Sequence, residues 1–263
     1  QTGNTLFLRP FLGVSRTELR AFLTRRQQTW CDDPDNTNDR FDRIKARRAL
    51  THLEPLGVGS QALAKVAAHM QTADTALRYY TGQAMQDLVD IRFGALRIDA
   101  KGFADLPMEI ARRFTASAIQ WCTNSTYPPR RAALARFITA LGVGQTGTLG
   151  GCIGLVDRDA IWVGREPGAV QDVQCGADEC WDGRWSVTGT APAGSRLRAA
   201  GDRGLSAFPG WRNLGVPRRI MLATPAVWMG DAPIALPAAQ EPDGWRAQLV
   251  RGRDDCAASL LSH

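Results

Sequence analysis

The sequence feature that most constrains the fold is a long amphipathic pattern, which runs from about Ser60 to Val89. Apolar residues recur in it at steps of three and four, the spacing of one face of an α-helix. These residues are Leu63, Val66, Met70, Ala73, Leu77, Tyr80, Ala84 and Leu88. The pattern predicts one connecting helix that buries this face, rather than a set of residues that hold a cofactor. A short segment therefore precedes the helix, and a much longer one follows it.

The short first segment predicts two further helices. Ser15 and Glu18 have the spacing of a capping box, in which each side chain satisfies the backbone N–H of the other residue. The helix that starts there runs towards Gln28. A second helix is expected to begin near Asp39 and to end by Pro55.

At the start of this second helix an acidic turn meets a basic run, in the string CDDPDNTNDRFDRIKARR. Five aspartates lie between positions 32 and 42, and four basic residues lie between positions 43 and 48. At about 100° per residue, Arg40, Arg43 and Arg47 fall within a sector of about 60°. The opposite face would pack inward through Ala46, Ala49, Leu50 and Leu53. The pattern fits either a solvated basic face or a site that handles a charged substrate.

The long segment after the connecting helix mixes helices with strands. We expect a strand over residues 95–99 and then a helix opened by Pro107, with Glu109 in its first turn. That helix carries Arg112 and Arg113. After a Tyr-Pro-Pro break, another helix would carry Arg130, Arg131 and Arg136.

Beyond these helices the chain becomes rich in strands. Residues 153–166 predict a β-hairpin that turns at residues 157–159. Residues 166–180 are typical of a loop. From Trp181 onward, short strands broken by Gly and Pro predict a small β-rich region, with Arg218 and Arg219 between its strands.

One glycine-rich stretch, GVGQTG at residues 142–147, matches GxGxxG. A dinucleotide-binding fingerprint needs a strand before it and a helix after it. Here a helix precedes the stretch and a strand follows it. We therefore reject a dinucleotide site and expect these glycines to end the helix.

The charge and cysteine content narrow the function classes. The formal net charge is +6, and 29 of the 32 basic residues are arginine. Arginine suits bidentate phosphate contacts, so a nucleic-acid partner fits, although a GC-rich coding sequence would give the same bias. Six scattered cysteines form no CxxC pair, which favours free thiols in a reducing cytoplasm over a zinc site.

No known catalytic motif can be placed by inspection. GxSxG, HExxH and the Walker A loop are all absent, and no apolar run approaches the roughly 18 residues of a membrane span. Grouped carboxylates occur only in the opening turn. There Asp32, Asp33 and Asp35 could bind a cation or orient a basic group.

The first segment resembles the second half of the catalytic domain of the tRNA(Ile)-lysidine synthetase family. The resemblance is carried by LRPFLGVSRTELRAFL, then DDPDNTNDRFDRIKARRAL, then LEPL. Asp33, Pro34 and Asn36 match the acidic turn of the family. Arg43 and Arg47 match the outer arginines of the helix that follows it.

The sequence also departs from the family, and the resemblance extends beyond this segment. Ile44 and Lys45 stand where the family usually has Asn and Arg, and Asp35 stands where Ser is common. Later strings that are similar to the family include PMEIARR, YPPRRAAL, TLGGCIGLVDRDAIWVGRE and GVPRRIMLATPAVW. The similarity therefore covers nearly the whole chain.

The resemblance implies an ATP-dependent ligase that modifies tRNA. Such an enzyme adenylates the C2 oxygen of the wobble cytidine in the CAU anticodon of isoleucine tRNA, and the ε-amine of L-lysine then displaces AMP. The SGGxDS-type loop of the family is absent, and the chain opens on Gln1 without a methionine. We therefore expect an amino-terminally truncated enzyme, inactive alone, whose missing part binds most of the ATP and Mg²⁺.

The resemblance also implies roles for individual residues. Arg43 and Arg47 are expected to act in catalysis by stabilising charge that builds near phosphate. Asp33 and Asn36 would hold the turn and these arginines in place. The other residues expected to contact tRNA or the adenylate are Arg40, Lys45, Arg48, Arg112, Arg113, Arg130, Arg131, Arg218 and Arg219.

Together these observations predict an α+β protein in three parts. Residues 1–57 would be the end of an α/β PP-loop catalytic domain, and residues 58–170 a mostly helical middle domain with a terminal β-hairpin. Residues 171–263 would form a small β-rich C-terminal domain. The protein is expected in the cytoplasm, without a membrane anchor, and the resemblance is compatible with a homodimer.

Three other functions stay open at this point. The first is a related PP-loop tRNA modifier, such as a thiolating enzyme. Thiolation typically needs paired cysteines or an iron–sulfur cluster, and the scattered cysteines count against it. The second is an RNA-binding module without catalysis, and the third is a structural or adaptor role.

Overall fold

The structure of the chain is a computed structural model, which describes residues 8–31, 40–240, 242 and 244–252. Two compact units divide it, residues 1–76 and residues 77–262. Helices and strands are both abundant, so the predicted α+β class is confirmed. Each unit is described by itself below.

The first unit is helical in its described part. Helix α1 spans Arg16–Arg25, α2 spans Asp42–Leu53, a 3₁₀ turn covers Glu54–Leu56, and α3 spans Ser60–Leu88. The predicted capping box is confirmed at α1. The backbone N–H of Glu18 donates to Ser15 Oγ at 3.2 Å, and the N–H of Ser15 donates to Glu18 Oε2 at 2.7 Å.

Helix α2 differs from its prediction in its start and in its buried face. It begins at Asp42, so Arg40 lies in the turn before it and does not share a helical sector with Arg47. Of the face expected to pack inward, Leu50 is half-buried. Ala46, Ala49 and Leu53 are exposed, so that part of the prediction is wrong. The buried residue is Ile44, in the first turn.

Helix α3 confirms the single long helix, but its apolar stripe is buried only towards the end. From Leu77 onward the helix belongs to the second unit, where Thr81, Ala84 and Met85 are buried and Leu77 and Leu88 pack against the core. Leu63, Val66, Met70 and Tyr80 are exposed, contrary to the prediction of one buried face. The pattern predicted the helix correctly because periodicity sets the conformation, whereas burial depends on what lies opposite.

The second unit is built from short helices and antiparallel strands. Its remaining helices are α4 (Ala100–Ala104), α5 (Met108–Thr123), α6 (Arg131–Gly142), α7 (Pro167–Val170), α8 (Gly201–Ala207) and α9 (Arg218–Met221). Two 3₁₀ turns cover Pro209–Leu214 and Pro237–Ala239. Its strands are β1 (Val89–Arg92), β2 (Ala95–Asp99), β3 (Gly147–Leu149), β4 (Cys152–Asp157), β5 (Ala160–Arg165), β6 (Gln174–Gly176), β7 (Trp185–Thr188), β8 (Arg196–Ala199), β9 (Pro225–Met229), β10 (Ala232–Ala235) and β11 (Arg246–Leu249).

A five-stranded antiparallel sheet, in the order β1-β2-β5-β4-β3, organises this unit. The predicted strand over 95–99 and the hairpin of β4 and β5 are confirmed, with Leu155 opposite Trp162 in the hairpin. Strand β5 also pairs with β2, placing Leu96 opposite Val163. The hairpin thus completes a sheet that began before the helices.

Both faces of this sheet are buried, which explains why β4 and β5 show no alternation of apolar and polar residues. On one face Leu96, Ile98 and Val163 pack against α5 and α6 through residues such as Phe114 and Leu134. On the other face Ala95, Ile153, Leu155 and Trp162 pack against C-terminal residues: Trp211, Ile220, Met221, Trp228 and Leu236.

Two smaller sheets complete the unit, in the orders β10-β9-β8-β6 and β11-β7. They confirm the short strands predicted after Trp181. The predicted loop at residues 166–180 instead contains α7 and β6, which were too short for a periodic pattern to reveal. A third cluster of buried residues, with Trp181, Trp185, Leu197 and Val227, joins these sheets.

One ion pair of this unit is almost completely buried. Arg165, at the end of β5, donates from Nε and Nη2 to the carboxylate of Asp182 at 2.8 and 2.9 Å. The side chains keep 14% and 10% of their exposure. Arg165 Nη1 also donates to the carbonyl of Gly151 at 3.0 Å, so a single guanidinium ties three segments together.

The two units and the three predicted parts divide the chain differently. The core that contains Trp162 and Trp228 draws residues from both sides of position 170. The predicted limits at residues 57 and 170 stay a prediction. Among the described helices, none combines the length and apolar character that crossing a bilayer requires.

Candidate active-site helix and arginine pairs

Helix α2 carries the basic residues that follow the acidic turn. Its first turn has no side-chain cap, but Asp42 lies there with its negative charge near the positive end of the helix. Lys45 Nζ lies 3.0 Å from Asp42 Oδ1, and both side chains are well exposed. Lys45 therefore forms an ion pair with Asp42, and this pair is weak because solvent screens both charges.

Arg47 is an exposed cation of this helix. Its side chain is exposed, and its guanidinium makes no hydrogen bond or ion pair with another residue that the structure describes. The backbone carbonyl of Arg47 accepts a hydrogen bond from Thr51 Oγ1 at 3.1 Å, inside the helix. The side chain can therefore turn to a phosphate oxygen without breaking a contact in this part of the chain.

For the remaining residues predicted for this site, the structure describes fewer side-chain contacts. Arg43 lies one turn before Arg47 on the backbone of α2, so the two share a helix face. Arg40 and Arg48 are exposed and take part in contacts of their own. Asp33 and Asn36 lie outside the described residues, so their predicted role in holding the turn stays a prediction.

On α5, a carboxylate one turn earlier holds the predicted arginine pair. Arg112 Nε and Nη2 donate to Glu109 at 2.8 and 2.5 Å, and Arg113 Nε donates to Glu109 Oε1 at 2.9 Å. Hydrogen bonding to Arg112 is the largest cause that lowers the pKa of Glu109 to about 2, and Arg113 lowers it further. These arginines are thus already engaged within the helix.

Helix α6 presents its arginines without such a partner. Arg130 is its N-cap residue, Arg131 its first residue, and no acidic residue lies in its first turn. Both side chains are exposed, as is Arg136. The buried residues of the helix are Leu134, Phe137 and Leu141.

The third predicted pair, Arg218 and Arg219, forms the start of α9 between β8 and β9. Arg218 Nη2 is in close contact with the carboxylate of Asp202 in α8. Arg219 makes no hydrogen bond or ion pair with any described residue. The two neighbours therefore differ in what they can offer to a ligand.

The structure adds one group that the sequence prediction missed. Glu109 was interpreted only as a helix-start residue, yet it holds both Arg112 and Arg113. The E-x-x-R-R spacing could have revealed this, because residues three and four apart face each other on a helix.

Metal-binding groups are absent from the described part of the chain. No cluster of three or more His, Cys, Asp or Glu that could hold an ion occurs there. Cys122 and Cys152 are buried free thiols, as predicted, whereas Cys31 and Cys180 are exposed. Cys256 lies outside the described residues.

Comparison with protein families identifies the first part of the chain. Residues 1–54 match the model of the PP-loop domain. This range contains α1, the acidic turn and all of α2. The chain thus has a PP-loop domain of the ATP-binding type, followed by the sheet-based second unit.

The similar proteins point to one enzyme of that class. The chain is 42% identical over 258 residues to the tRNA(Ile)-lysidine synthase of Ruegeria pomeroyi, an alignment that covers 98% of this chain and 62% of the relative. It is 32% identical over 196 residues to the enzyme of the same name from Caulobacter vibrioides, covering 70% and 40%. With the enzyme of Zymomonas mobilis the identity is 31% over 147 residues, covering 56% and 43%.

These comparisons confirm the resemblance to tRNA(Ile)-lysidine synthases found in the sequence. The similarity to the Ruegeria enzyme runs through both structural units. The chain spans between two fifths and two thirds of the length of these three relatives.

Proposed function

We propose that this chain serves in the ATP-dependent ligation of lysine to the wobble cytidine of the CAU anticodon of isoleucine tRNA. The observation that carries the proposal is the 42% identity to a tRNA(Ile)-lysidine synthase over 98% of the chain. The PP-loop match over residues 1–54 supports the use of ATP. The reaction would take place in the cytoplasm, where its tRNA substrate is found.

The proposed reaction has two steps that both build charge near phosphate. The C2 oxygen of cytidine first attacks the α-phosphorus of ATP, and pyrophosphate leaves. The ε-amine of lysine then attacks C2, so that a C–N bond forms and AMP departs with the C2 oxygen. Fixed cations close to these oxygens lower the barrier, because the charge they stabilise is larger in the transition state.

Arg47 and Arg43 are the residues we propose for this stabilisation. Arg47 supports the role because its guanidinium is exposed and engages no described residue. Arg43 lies on the same face one turn earlier. We propose that Asp33 and Asn36 hold the preceding turn, and that Arg40, Lys45 and Arg48 contact the adenylate or the anticodon backbone.

Mg²⁺ and L-lysine belong to the proposal without assigned residues. Mg²⁺ would enter with the phosphates of ATP. A homodimer is also compatible with the family, and analytical ultracentrifugation would measure it.

For the tRNA body we propose phosphate contacts from the second unit, which position the RNA rather than read its sequence. The residues proposed from the sequence are Arg112, Arg113, Arg130, Arg131, Arg218 and Arg219. Gel-shift assays of six single variants, each with one of these arginines replaced by Gln, would rank the arginines by their contribution to tRNA affinity.

The test of the catalytic proposal uses protein expressed from the complete reading frame that contains this chain. Lysidine formation is measured with ATP, lysine and the CAU-anticodon isoleucine tRNA. We expect Arg43→Ala and Arg47→Ala each to lower the rate about 100-fold, as for loss of one charge-stabilising donor. Arg25→Ala on α1 is the matched control, because Arg25 is exposed in the same segment and has no proposed role.

Near-wild-type turnover in both α2 variants would contradict the catalytic role of these arginines. The main alternative is an RNA-binding module without catalysis. Protein from the complete reading frame that binds this tRNA tightly yet forms no lysidine would support that alternative.

A further inference from the structure

The outer face of α6 lies in a long part of the chain that contains no acidic residue. Between Glu109 and Asp157 there is neither Asp nor Glu, whereas five arginines occur there. Two of these, Arg112 and Arg113, are engaged by Glu109. The positive charge left over is therefore concentrated on the three arginines of α6.

Arg131 and Arg136 are held outward by the way α6 is seated, and Arg130 is exposed at the N-cap of the helix. Leu134, Phe137 and Leu141 pack onto the sheet, and a Cβ on Gly154 of β4 would lie 2.5 Å from the Phe137 ring. This close approach fixes the rotation of the helix about its axis. The opposite face of α6 is therefore exposed to solvent.

The exposed face combines the arginines with small side chains. Arg131 and Arg136 border a strip of Ala132, Ala135 and Thr139, all exposed, within a sector of about 140°. The two arginines are separated by about 7.5 Å along the helix axis. Small residues between them let a ligand backbone approach closely, while each guanidinium can reach a different anionic group.

No described acidic group competes for these arginines. The guanidinium groups of Arg130, Arg131 and Arg136 make no hydrogen bond or ion pair with a residue in the described ranges. The elements packed against α6 are α5, β3 and β4, and their only acidic residues are Glu109, which is engaged, and Asp157, at the far end of β4.

We infer that the outer face of α6 is a docking surface for the phosphate backbone of an RNA strand, with Arg130, Arg131 and Arg136 as its contacts. Charge complementarity selects a polyanion, because three cations face solvent with no acid beside them. The inference rests on the proposed function for the identity of the RNA, and it adds Arg136 to the contacts proposed there.

The test compares two triple variants that lose the same charge. R130Q/R131Q/R136Q removes the proposed contacts. R92Q/R97Q/R246Q removes three arginines elsewhere, of which Arg92 and Arg97 pair with Asp90 and Asp159. Binding of the CAU-anticodon isoleucine tRNA and of an unrelated tRNA is measured from about 50 to 200 mM salt.

We expect the α6 variant to bind both tRNAs at least about tenfold more weakly, with a salt slope smaller by about 2 to 3. The control variant should keep the wild-type slope. An unchanged slope in the α6 variant, or an equal loss in both variants, would overturn the docking surface. Lysidine formation by the wild type is scored separately, so loss of the proposed function and loss of this surface give different results.

Discussion

Helices α5 and α6 each have two consecutive arginines near their start and pack on the same face of one sheet, yet they use them differently. In α5, Glu109 stands three and four residues before Arg112 and Arg113 and binds both. In α6 the corresponding position, three before Arg130 and four before Arg131, is Tyr127, which carries no charge. The Arg-Arg pair thus forms ion pairs within α5, whereas in α6 the two guanidinium groups pair with no described residue.

The comparison shows that two arginine pairs with the same sequence can differ in whether a carboxylate engages them. The arginines differ in whether a carboxylate lies within reach. An arginine that is already paired must give up that ion pair to bind a phosphate, so its net gain in free energy is small. Arg165 is the extreme case, because its pair with Asp182 is almost fully buried. The order Arg165, Arg112, Arg131 runs from a nearly buried ion pair to an exposed side chain that pairs with no described residue.

The largest effect is expected where a carboxylate holds a buried arginine. Asp182→Asn leaves Arg165 buried without its counter-ion, and should reduce the free energy of unfolding by about 3 kcal/mol. Asparagine tolerates the positive φ of 52° at this position, so backbone strain is not added. Urea denaturation measures the change.

Asp159→Asn is the matched control, because it breaks the exposed pair with Arg97 and should cost less than about 1 kcal/mol. Equal losses in the two variants would show that burial does not set the strength of these pairs.

A smaller effect is expected when α6 is made to resemble α5. Ala135→Glu places a carboxylate one turn after Arg131 on the exposed face, where it can pair with that arginine. Affinity for tRNA should fall about fivefold, because one phosphate contact is lost and a negative charge is added. Filter binding measures it.

Ala135→Gln keeps the size of this new side chain without its charge, and should bind tRNA like the wild type. If the Glu and Gln variants bind tRNA equally well, a carboxylate beside Arg131 does not control the affinity of α6 for tRNA.

The smallest effect is expected from releasing the arginines of α5. Glu109 is partly exposed, and its pKa is lowered from 4.5 to about 2, mainly by the hydrogen bond from Arg112. Because this pKa is lowered in the folded state, ionised Glu109 stabilises the fold. Its contribution to the free energy of unfolding is complete above about pH 4.5 and is lost as the pH falls towards 2. Glu109→Gln should therefore be less stable than the wild type at pH 7, and the difference should shrink across that window.

Unfolding by urea at several pH values between 2 and 7 measures this difference. A gap between the two proteins that stays constant over the whole range would mean that Glu109 does not act through its charge.

Much of this architecture was predictable from local sequence patterns. The capping box at Ser15, helix α6 and the hairpin of β4 and β5 all follow from signals within a few residues. The family resemblance was predictable as well, because its motif lies in one continuous string around Arg43 and Arg47.

The misses have a common physical cause, which is contact between residues far apart in sequence. Exposure of Leu63 and Met70 on α3 depends on what lies opposite them, and periodicity carries no such information. The pairing of Arg165 with Asp182, or of β2 with β5, also joins distant segments. Arg40 was misplaced because the start of α2 was set two to three residues too early, the usual uncertainty of helix ends.

The order of the strands in the five-stranded sheet has a consequence for synthesis on the ribosome. Strand β5 lies between β2 and β4, yet α4, α5 and α6 are all translated before it. Until residues 160–165 emerge, these helices have no completed surface to pack on, and the apolar side chains of α5 stay in water. The nascent chain is thus most vulnerable to aggregation and to chaperone capture just before the middle of the sheet is made.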